Sequence, residues 1–201
     1  NAEICSFPQI CVSNDLPEGW CAARVDEIFA KHVMPAVVDI PTAIGFCMFI
    51  SRRAIDEVGY FNSKLFGRGY GEENDFCCRL AQKGWRNVLC TNVFVFHKGA
   101  VSFAEEKERL VSAAMSVLDR LYPDYHRLVH DFIKSDPIEP YRQQAQLASL
   151  DNQRPRVLIV THNLDGGTAK HIRELSTYVS EQAYFFVARM CSAEHLQVSI
   201  E

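Results

Sequence analysis

The sequence lacks several features that would place it in a special class of protein. No apolar run approaches the roughly 20 residues of a membrane-spanning helix, and we expect no secretory signal at its start. Basic residues are not in excess, because 21 Lys plus Arg stand against 25 Asp plus Glu, for a net charge of −4. A general nucleic-acid binder is therefore not expected. Hydrophobic residues make up 48% of the 201, which excludes disorder over most of the chain.

Cysteine is frequent, but its spacing lacks a zinc-binding pattern. None of the eight Cys residues forms a C-x-x-C pair, so a zinc ribbon is not expected. Several lie in apolar runs or, like Cys77 and Cys78, in a helical pattern. We interpret them as reduced thiols in the core of a cytoplasmic protein. The chain begins at Asn1 without an initiator Met, from which we expect that it is part of a longer protein.

The pattern of apolar residues predicts two α/β regions joined by a polar linker. In residues 1–150 we expect strands at 37–40, 46–51, 87–90 and 93–96. Helices are expected there at 22–31, 52–58, 72–83, 125–133 and 141–150, with a further helical pattern from residue 103 to Pro123. Residues 151–154 form the linker. In residues 155–201 a strand at 156–161, a helix at 169–180 and a strand at 183–189 make one β-α-β unit.

The helix predicted at 72–83 carries the strongest candidate for catalysis. Glu73, Phe76, Cys77 and Leu80 share one helical face, and the last three are apolar, so this face looks inward. A carboxylate on that face is expensive unless a ligand needs it. We therefore expect Glu73 to point toward the protein body or a pocket. The glycine-rich stretch at 67–71 lies beside it, and its glycines indicate unusual backbone angles or close approach to a ligand.

The other charged residues of this helix have an alternative interpretation. Asp75 and Arg79 have the i, i+4 spacing of an ion pair on a different, outward face, with Glu72 nearby. Acidic residues at a helix N-terminus are stabilised by the macrodipole by about 0.3–1 kcal/mol. For Glu72 and Asp75 this structural role weighs at least as much as a functional one.

Histidines offer only weak evidence for a metal site. His97 ends a predicted strand, and a lone His at a strand end is more often structural than a ligand. His126 and His130 have the i, i+4 spacing of a helical metal pair, but no third ligand is evident nearby. We interpret that pair as a packing or surface feature.

Five pieces of the sequence, in order, resemble the C-terminal half of a family 2 glycosyltransferase domain of the GT-A fold. They are residues 44–53, similar to its central strand and turn; 58–62, similar to a "vG-x-F-D/N" turn; 72–79, similar to E-D-x-D-L-x-x-R; Gly84-Trp85, similar to "G-[YW]"; and 97–103, similar to "H-x-G-x-S". The resemblance implies a partial GT-A-type, Rossmann-like domain with C-terminal helices.

The resemblance also implies roles for individual residues. The family's catalytic base is the second acidic residue of E-D, and that position is Glu73 in this sequence. Because Glu stands here where the family has Asp, Glu72 remains an alternative catalytic base. His97 becomes a candidate ligand for Mn²⁺ or Mg²⁺. The family's metal-binding D-x-D lies upstream and is not in this chain. Substrate binding is assigned to four further residues of the same segment: Gly69, Gly71, Asp75 and Arg79.

Residues 156–189 resemble the N-terminal start of a family 4, GT-B glycosyltransferase. In both, a strand leads through Gly166-Gly167 into a helix that carries a His, here His171. Backbone N–H groups at such a helix start suit phosphate or sugar hydroxyls, so Gly166 and Gly167 are candidate substrate-binding residues. The alternative is a tight strand–helix turn without a ligand.

The two resemblances together imply a fragment of an inverting glycosyltransferase in surface-polysaccharide synthesis. Its partners would be a nucleotide-sugar donor and a glycan or lipid-linked acceptor, in the cytoplasm or peripherally at the cytoplasmic face of the inner membrane. The first alternative is a non-catalytic glycan- or protein-binding module. A weaker one is a nucleotide-binding domain built on Gly166-Gly167. Because an incomplete sheet leaves an edge and apolar surface exposed, we also expect a homo-oligomer.

Overall fold

The computed structural model describes residues 3–67, 70–98, 107–150, 153–164, 166–191 and 196–200. The protein is mixed α/β and divides into two compact units, Asn1–Ser149 and Leu150–Glu201, called unit 1 and unit 2 below. Among the described residues, no helix has the length and apolar character needed to cross a membrane.

Unit 1 is mostly helical and has one small sheet. Its helices are α1 (Ala22–His32), α2 (Arg52–Val58), α3 (Ser63–Phe66), α4 (Glu72–Gln82), α5 (Lys107–Leu121), α6 (Tyr125–Ser135) and α7 (Glu139–Ser149). Its strands, β1 (Val37–Asp39) and β2 (Val88–Cys90), pair antiparallel, with Val38 opposite Leu89.

Helix α4 lies in the core of unit 1 and fixes the position of the candidate site. Its Phe76 and Leu80 pack against Ala54 of α2, and its Cys77 is fully buried. The i, i+3 and i+4 spacing of these apolar residues therefore produces the inward face that the sequence predicts. This burial places the first turn of α4, with its acidic residues, at the border of the core.

Two predicted strands of unit 1 are absent, and this corrects the sequence analysis. Residues 46–51 and 93–96 form no strand in the described structure. Residues 46 and 47 lie in a turn, and in the described structure residues 48–51 pair with neither β1 nor β2. The apolar run therefore did not determine a strand.

The cysteines also differ in part from the expectation of a thiol-rich core. All eight are free, but only Cys77 is buried, with Cys5 and Cys78 half-buried. The five exposed thiols are Cys11, Cys21, Cys47, Cys90 and Cys191. The prediction was wrong for these five. A neighbour in the sequence can pack against the core while the thiol itself faces solvent, as Met48 does beside Cys47 and Leu89 beside Cys90.

Unit 2 contains the predicted β-α-β unit and one additional strand. Its elements are β3 (Arg156–His162), α8 (Gly167–Tyr178), β4 (Tyr184–Met190) and β5 (Leu196–Ile200), with the strand order β3-β4-β5. Strands β3 and β4 are parallel, whereas β4 and β5 are antiparallel. The sequence analysis missed β5.

The sheet of unit 2 has one covered side and one side that is exposed along β3. On the covered side, Phe185 and Val187 of β4 are buried, as is Ile172 of α8. Because side chains alternate across a strand, Leu158 and Val160 of β3 lie on the other side, where they are 65% and 62% exposed. Ala188 of β4 lies on that same side but is buried.

Candidate functional site

Helix α4 begins at a glycine whose conformation and surroundings exclude a side chain. Gly71 has φ +88°, in the left-handed region, which glycine adopts without steric cost. A Cβ on Gly71 would lie 2.8 Å from a ring carbon of Phe66 and 3.0 Å from the Cβ of Ala114. The close approach expected at this glycine therefore comes from the protein's own side chains.

A loop that precedes α2 lies along the first turns of α4. The Asn74 side-chain amide donates a hydrogen bond to Thr42 Oγ1 (2.9 Å), and the Ala43 N–H donates to Cys77 Sγ (3.3 Å). Gly45 follows directly: a Cβ there would lie 3.6 Å from Cγ and Cδ of Glu73. Since Gly45 is exposed and has no side chain, the loop contacts Glu73 without covering it with a bulky group.

Glu73 is half-buried, and its surroundings disfavour the ionised form. Burial raises the pKa of Glu73 above its usual value, and the negative charges of Glu72 and Glu3 raise it further. The backbone N–H groups of Glu73 and Gly71 offset part of this pKa shift. Desolvation therefore outweighs the backbone dipoles at this helix start. A carboxylate with a raised pKa is a stronger base once ionised.

Glu72 is the second candidate base, and its environment differs from that expected. Its Oε2 atom is buried and has no hydrogen-bond partner among the described residues. Glu72 does not share a face with Arg79 as an ion pair, because the Arg79 guanidinium donates to Asp75 and to the carbonyls of Val58 and Tyr60. The structure therefore places two carboxylates side by side at the start of α4, both partly withdrawn from water.

Asp75 and Arg79 pair as predicted, but not on an outward face. Asp75 is only 2% exposed; its Oδ2 accepts from Arg79 Nε at 2.9 Å and its Oδ1 accepts from the Tyr122 hydroxyl at 2.7 Å. Arg79 also donates to the carbonyl oxygens of Val58 and Tyr60. These bonds tie α4 to the end of α2 and to the residue after α5. Their role in substrate binding stays a prediction, and the contacts observed are structural.

A second polar network beside Glu73 was not found from the sequence. The Asn74 amide that donates to Thr42 also donates to the Tyr125 hydroxyl at 2.6 Å. Tyr125 is buried, and this burial raises the pKa of its hydroxyl. The sequence carries no local signal for these contacts, because Tyr122 and Tyr125 lie more than 40 residues beyond their partners in α4 along the chain. Together the two tyrosines fix α4 from the junction of α5 and α6.

His97 lies near the same loop through an aromatic contact. Its ring stacks on Phe46, with centroids 4.2 Å apart and planes inclined by 15°, and Phe46 directly follows Gly45. No group of three or more His, Cys, Asp or Glu within the described part of the chain is arranged to hold a metal ion. The assignment of His97 as a metal ligand stays a prediction. Gly69 lies outside the described residues.

The Gly166-Gly167 turn of unit 2 connects β3 to α8. Gly166 has φ +149°, and its carbonyl accepts from the Lys170 N–H at 3.0 Å. A Cβ on either glycine would meet nothing within 4 Å, so space beside this turn is open. A cavity of about 40 Å³ lies between the end of β3, the first turns of α8 and the end of β4, which is room for a few waters rather than a nucleotide sugar.

Neither of two cavities in the described structure lies at Glu73. The cavity at the end of β3 and a shallow depression beside Arg173 and Tyr178 of α8 are both lined by unit 2 residues. Glu73 instead lies beside the loop at Gly45. A pocket at its side chain therefore stays a prediction.

Comparison of the chain with family models, with curated proteins and with solved structures found no match. The resemblance to glycosyltransferases thus depends on the five sequence pieces in unit 1 and on the Gly-Gly turn in unit 2.

Proposed function

We propose that the chain is part of an inverting glycosyltransferase in which Glu73 is the catalytic base. The observation that carries the proposal is the position of this carboxylate. It lies half-buried at the start of α4, against the side-chain-free Gly45, and burial raises its pKa. A raised pKa makes the ionised carboxylate a stronger base, and shifted pKa values are frequent at catalytic sites.

The proposed reaction moves a sugar from a nucleotide-diphosphate donor to an acceptor hydroxyl. Glu73 takes the hydroxyl proton while the acceptor oxygen forms its bond to the anomeric carbon and the bond to the diphosphate breaks on the opposite face. A carboxylate is a weak base toward an alcohol, so proton transfer accompanies attack rather than preceding it. Inversion follows from this single displacement.

A metal is part of the proposal only for the longer protein. Mn²⁺ or Mg²⁺ would neutralise the leaving diphosphate, with His97 as one candidate ligand. The described residues do not supply a set of three ligands, so no step above passes through a metal. For the same reason we expect this chain alone to bind nucleotide sugars weakly. Calorimetry with such donors and Mn²⁺ tests this, and micromolar binding would contradict it.

The finer fold assignment belongs to the same proposal. Unit 1 would be the acceptor-side part of a GT-A-type domain, and unit 2 the start of a GT-B-like, Rossmann-like domain. The parallel β3-α8-β4 arrangement supports the second part, since this unit is the repeating element of such folds. The acceptor would be a glycan or lipid-linked sugar, used in the cytoplasm or at the cytoplasmic face of the membrane.

The proposal is tested by removing one carboxylate at a time in the full-length protein that contains this chain. Glu73→Gln is expected to lower the rate of sugar transfer by about 10²–10⁴, the usual contribution of a general base. Glu72→Gln tests the second candidate base in the same helical turn and should keep most of the activity if Glu73 is the base. Thermal unfolding of both variants shows whether the fold is retained. Full activity in Glu73→Gln would contradict the proposal.

A non-catalytic binding module is the second candidate. It is favoured by aromatic side chains that lie at the surface near the loop of Gly45, above all the exposed Phe46 and Phe49. Exposed aromatic groups are typical of surfaces that bind glycans or proteins. In this case Glu73→Gln would leave function unchanged, whereas Phe46→Ala would reduce binding.

A further inference from the structure

Asn74, the residue after Glu73, joins three parts of unit 1. Its side-chain amide donates one hydrogen bond to Thr42 Oγ1 at 2.9 Å and another to the Tyr125 hydroxyl at 2.6 Å. Thr42 belongs to the loop before α2, and Tyr125 is the first residue of α6. A primary amide group has two hydrogens to donate, so both are used, and each goes to a buried side chain.

The loop that Asn74 holds is the one that contacts Glu73. In the described structure two side chains of α4 attach this loop: Asn74 donates to Thr42, and Cys77 Sγ accepts from a loop backbone N–H at 3.3 Å. Sulfur is a weak acceptor, so the bond to Thr42 is the stronger of the two. Gly45 lies in the same loop, and a Cβ there would lie 3.6 Å from Cγ and Cδ of Glu73.

We propose that Asn74 is a positioning residue for Glu73: it holds the loop of Gly45 against this carboxylate and so keeps water from one side of it. The inference rests on the proposed role of Glu73 as the catalytic base, and it adds a residue that acts on this base without contacting the acceptor. An amide with a buried acceptor on each side is held in one rotamer. The loop, α4 and α6 therefore keep one relative arrangement.

The ionisation of Glu73 is a sensitive measure of this contact. Burial is the largest cause of the raised pKa of Glu73; its own backbone N–H lowers the pKa, and the charges of Glu72 and Glu3 raise it. Cys77 of α4 and Tyr125 of α6 also interact with it, and burial raises the pKa of both groups. Both are therefore neutral at neutral pH, and the amount of water at the carboxylate is what the loop controls.

The direct test is the pKa of Glu73 in the intact chain, measured by carbon NMR of side-chain-labelled glutamate and assigned with Glu73→Gln. Asn74→Ala is expected to lower this pKa toward the usual value of glutamate, because the released loop lets water reach the carboxylate. Asn74 is uncharged, so the shift reports hydration and not a lost charge. The matched control is Asn62→Ala, which removes the amide oxygen that accepts from the Leu65 N–H at α3 and should leave the pKa of Glu73 unchanged.

The two partners of Asn74 supply further variants. Thr42→Val removes the hydroxyl and keeps the branched shape, and it should lower the pKa of Glu73 as Asn74→Ala does. Thr42→Ser keeps the hydroxyl and should retain the wild-type pKa. Tyr125→Phe removes the anchor on α6 and should lower the pKa of Glu73 by less, because the bond from Asn74 to Thr42 remains.

Kinetics in the full-length protein that contains this chain separate the inference from the proposed function. If both hold, the acidic limb of the pH profile of kcat/KM moves to lower pH in Asn74→Ala, in step with the pKa measured by NMR. If Glu73 is not the base, the pKa measured by NMR still falls and the pH profile does not follow it. That result supports the inference and contradicts the proposed function.

An unchanged pKa of Glu73 in folded Asn74→Ala or Thr42→Val would overturn the inference, because the loop would then shield the carboxylate without the amide. A fall of equal size in Thr42→Ser or in Asn62→Ala would overturn it as well, since the effect would not depend on this hydrogen bond. If Asn74→Ala does not fold, the comparison of Thr42→Val with Thr42→Ser decides the question.

Discussion

The two helices α4 and α8 both begin after a glycine, yet their starts have opposite surroundings. At Gly71 a Cβ would collide with Phe66 and Ala114, whereas at Gly166 and Gly167 it would meet nothing within 4 Å. The first turn of α4 is acidic and that of α8 contains no acidic residue. A glycine therefore precedes both helices in the sequence, but its surroundings differ. The glycine before α4 is enclosed by side chains, whereas the glycines at the start of α8 lie beside open space.

This difference decides what each helix start can do. The backbone at the start of α4 is enclosed by side chains, so its chemistry must come from Glu72 and Glu73. At the start of α8 the backbone itself is accessible, and backbone N–H groups there can meet a ligand directly. A glycine-rich loop is therefore evidence for a ligand only once the space beside the glycine is known to be free.

Breaking the buried ion pair of α4 should have the largest effect on stability. Asp75→Ala removes the acceptor of both Arg79 and Tyr122 at a position that is 2% exposed. Loss of one partner of a buried pair costs roughly 3–5 kcal/mol. Urea denaturation followed by tryptophan fluorescence measures this cost, because Trp20 and Trp85 both belong to unit 1.

An exposed pair with the same spacing serves as the control. Lys31 and Glu27 are also i, i+4 partners, but both side chains are largely exposed. Glu27→Ala should leave the urea midpoint unchanged, since exposed pairs contribute little. If Asp75→Ala were as mild as Glu27→Ala, the structural role of the Asp75 network would be wrong.

The next largest loss of stability is expected at Gly71, the glycine that side chains enclose. Gly71→Ala must adopt φ near +88° and place its Cβ 2.8 Å from Phe66. The left-handed conformation costs about 1–2 kcal/mol and overpacking about 1–3 kcal/mol, so we expect unit 1 to lose roughly 2–4 kcal/mol. The same fluorescence measurement applies. A neutral result would mean that Phe66 and Ala114 do not enclose this position.

The sequence predicted best those elements that depend on local pattern alone. The periodicity of α4, the Gly59 that ends α2 and the parallel β3-α8-β4 unit all follow from residues close together in the chain. In these cases hydrophobic period and terminal glycines determine the element without reference to distant residues.

The wrong predictions concern features that depend on residues far away in the chain. The apolar run 46–51 predicted a buried strand, but Phe49 of this run is fully exposed, and a strand exists only if another strand lies beside it. Asp75 was expected to face outward because its own helix suggests so. It is buried because Tyr122, far along the chain, reaches its carboxylate. No helical pattern within residues 72–83 contains that information.

A smaller effect should appear in the pH dependence of unit 1. Because burial raises the pKa of Glu73, the folded state binds its proton more tightly than the unfolded state. Stability from this group is therefore present below about pH 4.5 and decreases as the pH rises through the folded pKa. Glu73→Gln removes this titration, so the variant should be more stable than the wild type at neutral pH.

Urea denaturation of both proteins at acidic and neutral pH measures this difference. The two should have the same stability in acid and differ at neutral pH. The exposed Glu18→Gln is the matched control and should follow the wild type at both pH values. If Glu73→Gln lost stability at neutral pH, the carboxylate would be making a favourable contact in the fold, and its role as a withdrawn base would be untenable.

The smallest effect is expected at the open glycine of α8, where the comparison between the two helix starts is sharpest. Gly167 is the first residue of α8, its φ is not in the left-handed region, and space beside it is free. Alanine restricts the unfolded chain more than glycine does, so Gly167→Ala should leave unit 2 unchanged or stabilise it by at most about 1 kcal/mol. Amide hydrogen exchange of β4 reports on unit 2 separately. Faster exchange in this variant would show that the turn is enclosed like the start of α4, and the openness of Gly166-Gly167 as a ligand contact would then be lost.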